Sequence, residues 1–350
     1  MEHYSKEITL LITTLLLLFC HVNVSKALDY CELNYNDPHK VAYTIVVDKF
    51  GRGNFHTIQS AIDSVPSQSN RWIRIQISPG IYTYDGSGFR VTEIQWNDHA
   101  TTATSPTFTS YAQNLVVQGI TFRNTYNALG SVTRREDIKP AIAALIQGDK
   151  AIFHKCGFIG LQDTLWDGPG RHLFTQCYIE GVIDVISGFG HQIEVLIFFL
   201  FVCLFVLCLT QECVINIPIN AYAPLLNEGF ITAQGKENPS ESSGFVFIRC
   251  IVKGSGKVFL GRAYRPFSTV IFHLCFLPSC IDPAGWNSWQ QVGHESNLTY
   301  SETRCIGPGA DTSSRVPWLK RLDVYQIRRF TDISYIDPQG YWTSRLPVLS

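Results

Sequence analysis

A short phrase built around a cysteine recurs along this chain and limits the folds that it can adopt. The phrase reads KCGFIG at 155–160, QCYIEG at 176–181, ECVINI at 212–217, RCIVKG at 249–254 and LCFLPS at 274–279, and a related form, VQGITFRNT, lies at 117–125. Each copy is a short β-prone run beside a glycine or a polar residue. A strand-rich unit of about 20 residues cannot bury its own apolar face, so successive units must stack. The repeat predicts an all-β, single-domain parallel β-helix rather than a sandwich, whose strands do not usually repeat side-chain identity at a fixed period.

Helical periodicity is concentrated near the start of the repeat region. The segment from Thr57 to Val65, TIQSAIDSV, has the strongest amphipathic pattern, and such periodicity is almost absent after residue 66. We therefore expect one short N-terminal helix that caps the open end of the stack.

The first 27 residues have the pattern of a secretory signal peptide. Lys6 supplies a positive start, Ile8 to Cys20 is mostly apolar, and small residues at 25–27 offer a cleavage site. The alternative is a membrane anchor, but the apolar run is too short to favour it. The sequence predicts a signal peptide at 1–27, a single β-helix domain at 28–350, and secretion.

Composition excludes several classes of function. The formal net charge is −1 over 350 residues, which argues against a nucleic-acid-binding surface. Patterns typical of zinc sites, HExxH and CxxC, are absent, as is the GxSxG turn of serine hydrolases. Secretion would permit disulfides among the ten cysteines of the mature chain, but their spacing gives no connectivity.

An apolar run at 195–209, VLIFFLFVCLFVLCL, interrupts the repeat between its second and third cysteine phrases. It carries no charge, and it separates Cys177 from Cys213 by a longer interval than the one between Cys156 and Cys177. Read as a helix, the run reaches only about 22 Å, short of a bilayer's hydrocarbon core, so we expect no stable membrane span. A buried core segment is a second interpretation. We favour a third, a foreign insertion such as translated intron, because removing the run restores the shorter interval.

Two aspartates share a register in neighbouring copies of the repeat. Asp163 and Asp184 follow Cys156 and Cys177 at the same distance along the chain. Neighbouring β coils are separated by about 4.8 Å, so the two carboxyl groups would stack. Carboxylates that close cannot both ionise easily, which leaves one as a general acid and the other as an anion. The alternative is that each aspartate bonds its own backbone in a turn, and spacing alone does not decide between them.

Several neighbours could assist such a pair. The amide of Gln162 could donate to a developing oxyanion, and the guanidinium of Arg262 could hold one aspartate as an anion. Aromatic side chains that could stack on sugar rings, or belong to the core, are Trp166, Tyr264, Trp286 and Trp289.

Several phrases in order resemble one known family. They are WNDHATTATSPTFTSYAQNLVVQGITFRNTYN (96–127), GFIGLQDTLWDGPGRH (157–172), IEGVID (179–184), FITAQGK (230–236) and LGRAY (260–264). From about residue 42 onward, apart from two disturbed stretches, the sequence resembles the plant pectin methylesterases of the short type, which lack an inhibitor-like pro-region. The resemblance implies a right-handed, single-stranded parallel β-helix.

The resemblance also implies roles for individual residues. Asp184 would be the nucleophile that attacks methyl-esterified galacturonate, Asp163 the general acid and base, and Gln162 an oxyanion donor. Substrate binding would involve Arg262, Tyr264 and Thr107 of SPTF, and Arg262 would also orient Asp184.

The resemblance implies partners as well. Pectin would be the substrate and a proteinaceous pectinesterase inhibitor a further partner. The enzyme would be monomeric, would be located in the cell wall and would need neither a metal nor a cofactor.

This chain departs from the family pattern at several positions. The aromatic pair of DFIFG becomes Val185 and Ser187, which removes apolar area near the nucleophile, and a tryptophan becomes Tyr264. A second oxyanion glutamine aligns with Pro140, which has no side-chain donor. Residues 83–95 replace a longer stretch. Two rival interpretations follow, a catalytically impaired pectin-binding β-helix and a retaining glycoside hydrolase, which also uses two close carboxylates.

Overall fold

A computed structural model describes residues 41–66, 71–78, 81–82, 92–189, 191–195 and 213–339. The predicted signal peptide at 1–27 lies outside the described residues. So do nearly all of the apolar run at 195–209 and most of the shortened stretch at 83–95.

Short strands dominate the described residues. The strands are β1 (Val41–Val47), β2 (Trp72–Ile77), β3 (Ile81–Tyr82), β4 (Thr92–Trp96), β5 (Phe108–Ser110), β6 (Leu115–Gln118), β7 (Ile120–Asn124), β8 (Ala144–Ile146), β9 (Ala151–His154), β10 (Gly157–Ile159), β11 (Leu165–Asp167), β12 (Arg171–Thr175), β13 (Tyr178–Glu180), β14 (Ile186–Gly188), β15 (His191–Val195), β16 (Val214–Pro218), β17 (Glu228–Gln234), β18 (Gly244–Ile248), β19 (Ile251–Ser255), β20 (Lys257–Arg262), β21 (Thr269–His273), β22 (Trp286–Asn287) and β23 (Thr299–Thr303). The α-helices are α1 (Ile58–Asp63) and α2 (Val324–Thr331).

The described strands from β3 to β23 form three parallel sheets of seven, and each coil from β4–β6 to β19–β21 contributes one strand to each sheet. Sheet 1 has the order β3-β4-β7-β10-β13-β16-β19, sheet 2 the order β5-β8-β11-β14-β17-β20-β22, and sheet 3 the order β6-β9-β12-β15-β18-β21-β23. Strands β1 and β2 pair separately, also in parallel. The predicted right-handed parallel β-helix is confirmed.

The recurring cysteine marks the corner between sheet 3 and sheet 1. A residue with left-handed backbone makes the turn just before it, at Lys155, Gln176, Arg249, Leu274 and Arg304 (φ 53° to 57°). The seven described cysteines are free thiols, five of them buried, and the thiol of Cys156 donates to the carbonyl oxygen of Val117 in the preceding coil, 3.5 Å away. The repeat therefore records a corner of the coil, not a disulfide framework.

Coil length is less regular than the sequence suggested. Gly157 pairs with Tyr178 of the next coil, and the stretch between them is short. The coil from Thr121 to Gly157 and the coil from Val214 to Ile251 each contain more than one and a half times as many residues as the coil from Gly157 to Tyr178. Long coils take up their extra residues in loops at the other corners, so the wide interval before Cys213 is not anomalous by itself.

Aromatic rings stack through the interior of the coils. Phe153 lies 5.2 Å from Phe174, and Phe247 lies 4.4 Å from Phe272, both nearly parallel. Burying each such side chain contributes about 2–3 kcal/mol, so these rings stabilise the stacking of successive coils.

Two helices pack at the periphery. The predicted helix is present as α1, where Thr57 caps Ser60 N and Ala61 packs on Ile45 and Val47. The second helix, α2, was not predicted; it buries Ile327 in a cluster with residues of sheet 3. Among the described residues, no helix is long and apolar enough to cross a membrane.

Candidate active site

The two aspartates occupy equivalent positions on neighbouring coils, at the corner where sheet 1 passes into sheet 2. Gln162 pairs with Ile183 across the coils, and the backbone N–H of Asp163 donates to the carbonyl oxygen of Ile183 at 3.0 Å. Both aspartates have left-handed backbone, with φ of 56° at Asp163 and 47° at Asp184. Aspartate tolerates this conformation better than most residues, and here it turns two side chains toward one place.

Arg262, at the end of β20, holds one member of the pair. Its Nε donates to Oδ1 of Asp184 at 2.7 Å, and a second guanidinium nitrogen donates to Oδ2. The guanidinium lies 4.0 Å from the ring centroid of Trp289 and 4.6 Å from that of Phe230. These rings confine the guanidinium, so the bidentate pairing fixes the orientation of the Asp184 carboxylate.

The environments of the two carboxyl groups differ. Burial raises the pKa of Asp163 to about 8, and the charge of Asp184 adds to this shift. Burial also raises the pKa of Asp184, but the hydrogen bonds and the charge of Arg262 oppose the increase. Asp184 therefore loses its proton first and Asp163 keeps its proton at neutral pH, which provides an anion beside an acid.

Of the other predicted site residues, Gln162 adjoins Asp163 in the chain, whereas Thr107 lies away from both aspartates. The half-buried amide of Gln162 makes no hydrogen bond to any described residue. One coil earlier, the N–H of Ala141, next to Pro140, donates to the carbonyl oxygen of Gln162. Thr107 precedes β5, two strands from β11, and its hydroxyl donates to the carbonyl oxygen of Arg123. Thr107 is thus not brought into contact with the aspartates.

Four rings from four coils form an aromatic wall beside the pair, composed of Trp166, Phe189, Tyr264 and Trp289. Their successive centroids are 6.3, 6.2 and 6.0 Å apart. Trp286 belongs to the core, because it is 1% exposed and its indole N–H donates to Glu302. Such a wall beside two carboxyl groups suits a sugar substrate.

Comparison with known proteins points to one family. The Pectinesterase family model matches residues 44–339. "Probable pectinesterase 55" of Arabidopsis thaliana is 41% identical over 329 residues, which cover 89% of this chain and 94% of the relative.

The chain belongs to the pectinesterase family.

Solved structures share the fold of this pectinesterase. The pectin methylesterase from carrot has a TM-score of 0.73 at 23% identity, covering 87% of this chain and 97% of the carrot chain. A pectin methylesterase crystallised with hexasaccharide VII has a TM-score of 0.67 at 22% identity, covering 88% and 99%. At these identities the likeness concerns the fold.

The loss of two aromatic residues after Asp184 has different consequences at the two positions. Val185 is fully buried in the core, whereas Ser187 occupies the outer face of β14, paired with Trp166 and Ala233. Phe189, two residues further, contributes a ring on this face. Sequence reasoning missed Phe189, although a count of two residues from Ser187 would have placed it on the same side.

Two recesses lie in this part of the pectinesterase, and neither is lined by Asp163 or Asp184. One, of about 350 Å³, is lined by residues 99–102, Lys139 and Pro140, on the side of Gln162. The other, of about 660 Å³, includes Phe189 of the aromatic wall and the loop at 237–243. Within the described residues, no three side chains converge as ligands for a metal ion.

Proposed function

We propose that this pectinesterase hydrolyses the methyl esters of galacturonate in cell-wall homogalacturonan and releases methanol, with Asp184 as nucleophile and Asp163 as general acid and base. One observation carries the assignment of roles: Arg262 bonds both oxygens of Asp184 and leaves Asp163 as the carboxyl group that keeps a proton. The two buried carboxyl groups therefore start in the two protonation states that this chemistry needs.

In the first half of the reaction, a carboxylate oxygen of Asp184 attacks the ester carbonyl carbon. Negative charge develops on the carbonyl oxygen, and the amide of Gln162 donates to it. As the C–O bond to the methoxy group breaks, Asp163 transfers its proton to the leaving oxygen and methanol departs. The products are an acyl-Asp184 anhydride and an ionised Asp163.

In the second half, Asp163 accepts a proton from a water molecule that attacks the acyl carbon. The acyl bond to Asp184 breaks, which restores the Asp184 anion and frees the galacturonic acid group, which then loses its remaining proton to solvent. Asp163 is again protonated, so the pair returns to its starting state. Arg262 keeps Asp184 oriented throughout, and Pro140 leaves most of the oxyanion support to Gln162.

A polymeric substrate suits the shape of this region. The recesses on the Gln162 side and on the Phe189 side would let a chain of sugars extend in both directions from the aspartates. Tyr264, with the other rings of the aromatic wall, would contact sugar faces, and Thr107 would lie at the far edge of sheet 2. The bound hexasaccharide in the related structure supports an extended cleft.

Location and partners follow from the proposed substrate. We infer that residues 1–27 direct secretion, that 28–350 is the mature domain, and that the enzyme acts in the cell wall. Asn297, in an N-glycosylation acceptor, is exposed, which suits an exported protein. A monomeric enzyme, with a proteinaceous pectinesterase inhibitor as a partner, completes the proposal.

Methanol release from highly methyl-esterified homogalacturonan tests the reaction, with reducing ends counted in parallel. We expect methanol to increase and reducing ends to stay constant. New reducing ends without methanol would indicate a glycoside hydrolase. Binding of pectin without turnover would indicate a site that has lost catalysis, and either outcome would overturn the proposal.

A further inference from the structure

A second pair of titratable side chains lies on the inner side of sheet 2. Asp167 ends β11 and His172 lies in β12, and both side chains are fully buried. Nδ1 of His172 contacts Oδ1 of Asp167. Nε2 of His172 lies 2.9 Å from the carbonyl oxygen of Gly148, in the preceding coil. The reaction proposed above uses neither side chain.

These contacts fix the number of protons that the pair holds. A carbonyl oxygen only accepts hydrogen bonds, so Nε2 of His172 must carry a hydrogen. Nδ1 then faces a carboxylate oxygen, and two lone pairs would oppose each other unless a proton lay between them. The pair therefore holds one proton on Nε2 and a second that Nδ1 and Oδ1 share.

The electrostatic surroundings agree with a retained proton. Burial raises the pKa of Asp167. Burial lowers the pKa of His172, but the charge and hydrogen bond of Asp167 outweigh it and the net shift is upward. Among the described residues, Asp149 also raises the pKa of His172, and Asp149 is itself ion-paired with Arg171.

The buried pair adjoins two members of the aromatic wall. Trp166 directly precedes Asp167, so it projects from the opposite, outer face of β11. The N–H of Phe189 donates to the carbonyl oxygen of Asp167 at 2.8 Å. Gly188 lies so close that a Cβ there would be 2.1 Å from the same oxygen. The backbone of Asp167 thus supports both Trp166 and Phe189.

The backbone on the other side of the pair is equally confined. Gly170 has φ of 143°, and a Cβ on it would lie 2.5 Å from Nε2 of His172. The turn between β11 and β12 therefore closes directly over the imidazole. A shift of His172 would move this turn and, through Asp167, the strand that carries Trp166.

We propose that Asp167 and His172 are a proton-sharing positioning pair that fixes Trp166 and Phe189 at the edge of the cleft. The effect on substrate binding rests on the proposed function, whereas the shared proton does not.

The shared proton makes the stability of the fold depend on pH. In the unfolded chain this proton is lost above the ordinary histidine pKa, about 6.5. The folded state keeps it, so the pair stabilises the fold below about pH 6.5 and this contribution falls as the pH rises further.

Two variants of the full chain separate the roles. In Asp167→Asn the amide N–H can donate to Nδ1 of neutral His172 while Nε2 still donates to Gly148, so the contacts persist without the shared proton. His172→Phe removes the contacts. The matched control is His154→Phe, because burial lowers the pKa of His154 to about 4 and that side chain is neutral in the relevant pH range.

The first measurement is the number of protons linked to unfolding between pH 6.5 and 8.5, from denaturant titrations without substrate. We expect Asp167→Asn to link one proton fewer than the wild type, and His154→Phe to match the wild type. An unchanged count in Asp167→Asn would refute the shared proton, whether or not the enzyme is active on pectin.

The second measurement is KM and kcat on a methyl-esterified oligogalacturonide. We expect His172→Phe to raise KM by about threefold or more with kcat within about twofold, and Asp167→Asn to keep KM near the wild-type value. A wild-type KM in His172→Phe would refute the positioning role. If His172→Phe fails to fold, the proton count of Asp167→Asn still decides the shared proton.

Discussion

At the scale of single residues, the site is built at a cost to stability. Asp163 is nine-tenths buried beside a second carboxylate, and its pKa rises to about 8. A carboxyl group that is hard to ionise in the folded state destabilises the fold at pH values where the unfolded chain ionises freely. The folded protein accepts this cost in exchange for an acid that is still protonated at neutral pH.

Replacing Asp163 by Asn should therefore stabilise the protein while it removes activity. Because the folded pKa exceeds the unfolded value of about 4, the wild type loses stability as the pH rises from about 4 to about 8. Asn is neutral throughout, so we expect a gain of about 1–4 kcal/mol in the free energy of unfolding at pH 7 and almost none at pH 4. Urea unfolding at both pH values measures this; an equal gain at pH 4, or a loss at pH 7, would contradict the account.

Arg262 sets the pH range of the pair, which titrates as a unit. The guanidinium opposes the upward pKa shift of both aspartates, so Arg262→Ala should move both limbs of the pH profile of kcat/KM to higher pH. A nearby opposite charge typically lowers a carboxyl pKa by about 1–3 units, which sets the expected size for Asp184. The control is Arg265→Ala, which removes a neighbouring cation that is paired with Glu237. A lower rate with unmoved limbs in Arg262→Ala would show that the arginine does not tune the pair.

At the scale of the structural elements, the corner between sheet 3 and sheet 1 is strictly spaced. In the coils around Cys156, Cys177, Cys250 and Cys275, a single left-handed residue separates the end of the sheet 3 strand from the cysteine. Val195 ends β15 and pairs with Ile248, yet the next corner cysteine is Cys213. The whole stretch 196–212 therefore stands where a single residue suffices elsewhere. The register thus supports the proposed insertion better than coil length does.

Deleting residues 196–211 should accordingly leave a complete corner. Glu212 would take the left-handed position before Cys213, and β15 and β16 would stay in register. We expect a higher yield of monomeric protein with methanol release retained, because a long run of apolar side chains favours aggregation wherever it meets solvent. Replacing 196–211 by a Gly/Ser segment of equal length tests whether apolarity or length matters, since a longer flexible loop costs little by itself. Loss of folding on deletion would show that the segment is needed.

The repeated geometry of the coils explains which features the sequence could predict. The corner residues repeat because stacking demands the same turn in each coil, so the cysteine phrases and the register of the aspartates are local signals. Trp286 and Trp289 look alike in sequence, but the first points into the core toward Glu302 and the second lies over Arg262. Whether each ring points into the core or lies at the site depends on strand register, which the aromatic content alone does not specify.

Helix α2 could have been predicted from a local signal, whereas two features of the site depended on longer-range contacts. Helix α2 begins with an Asp323 and Gln326 capping box, a local signal that sequence reasoning could have used. Phe189 joins the wall only because three coils bring Trp166 and Tyr264 to it. The bidentate bond of Arg262 to Asp184 joins positions far apart in the chain; the residue types suggested that Arg262 could hold one aspartate, but only the resemblance to a family singled out Asp184.

At the scale of the whole molecule, the β-helix serves as a rigid platform. Arg262 at the end of a sheet 2 strand meets Asp163 and Asp184 at the corner between sheets 1 and 2, although the three residues come from different coils. Stacked rings fill the interior between the coils, and one recess lies near Pro140 and another near Phe189. An enzyme that acts on single ester groups within a long polymer requires such an open cleft with a fixed centre.

The most direct test of the account is the rate of methanol release by Asp184→Asn. The matched control is Asp137→Asn, which breaks another bidentate aspartate–arginine pair, with Arg134, on the exposed surface. Losing the nucleophile of a catalytic unit should lower kcat by about three orders of magnitude or more, whereas the control should keep the wild-type rate. If Asp184→Asn folds and keeps kcat within about tenfold of the wild type, Asp184 is not the nucleophile and the central claim is wrong.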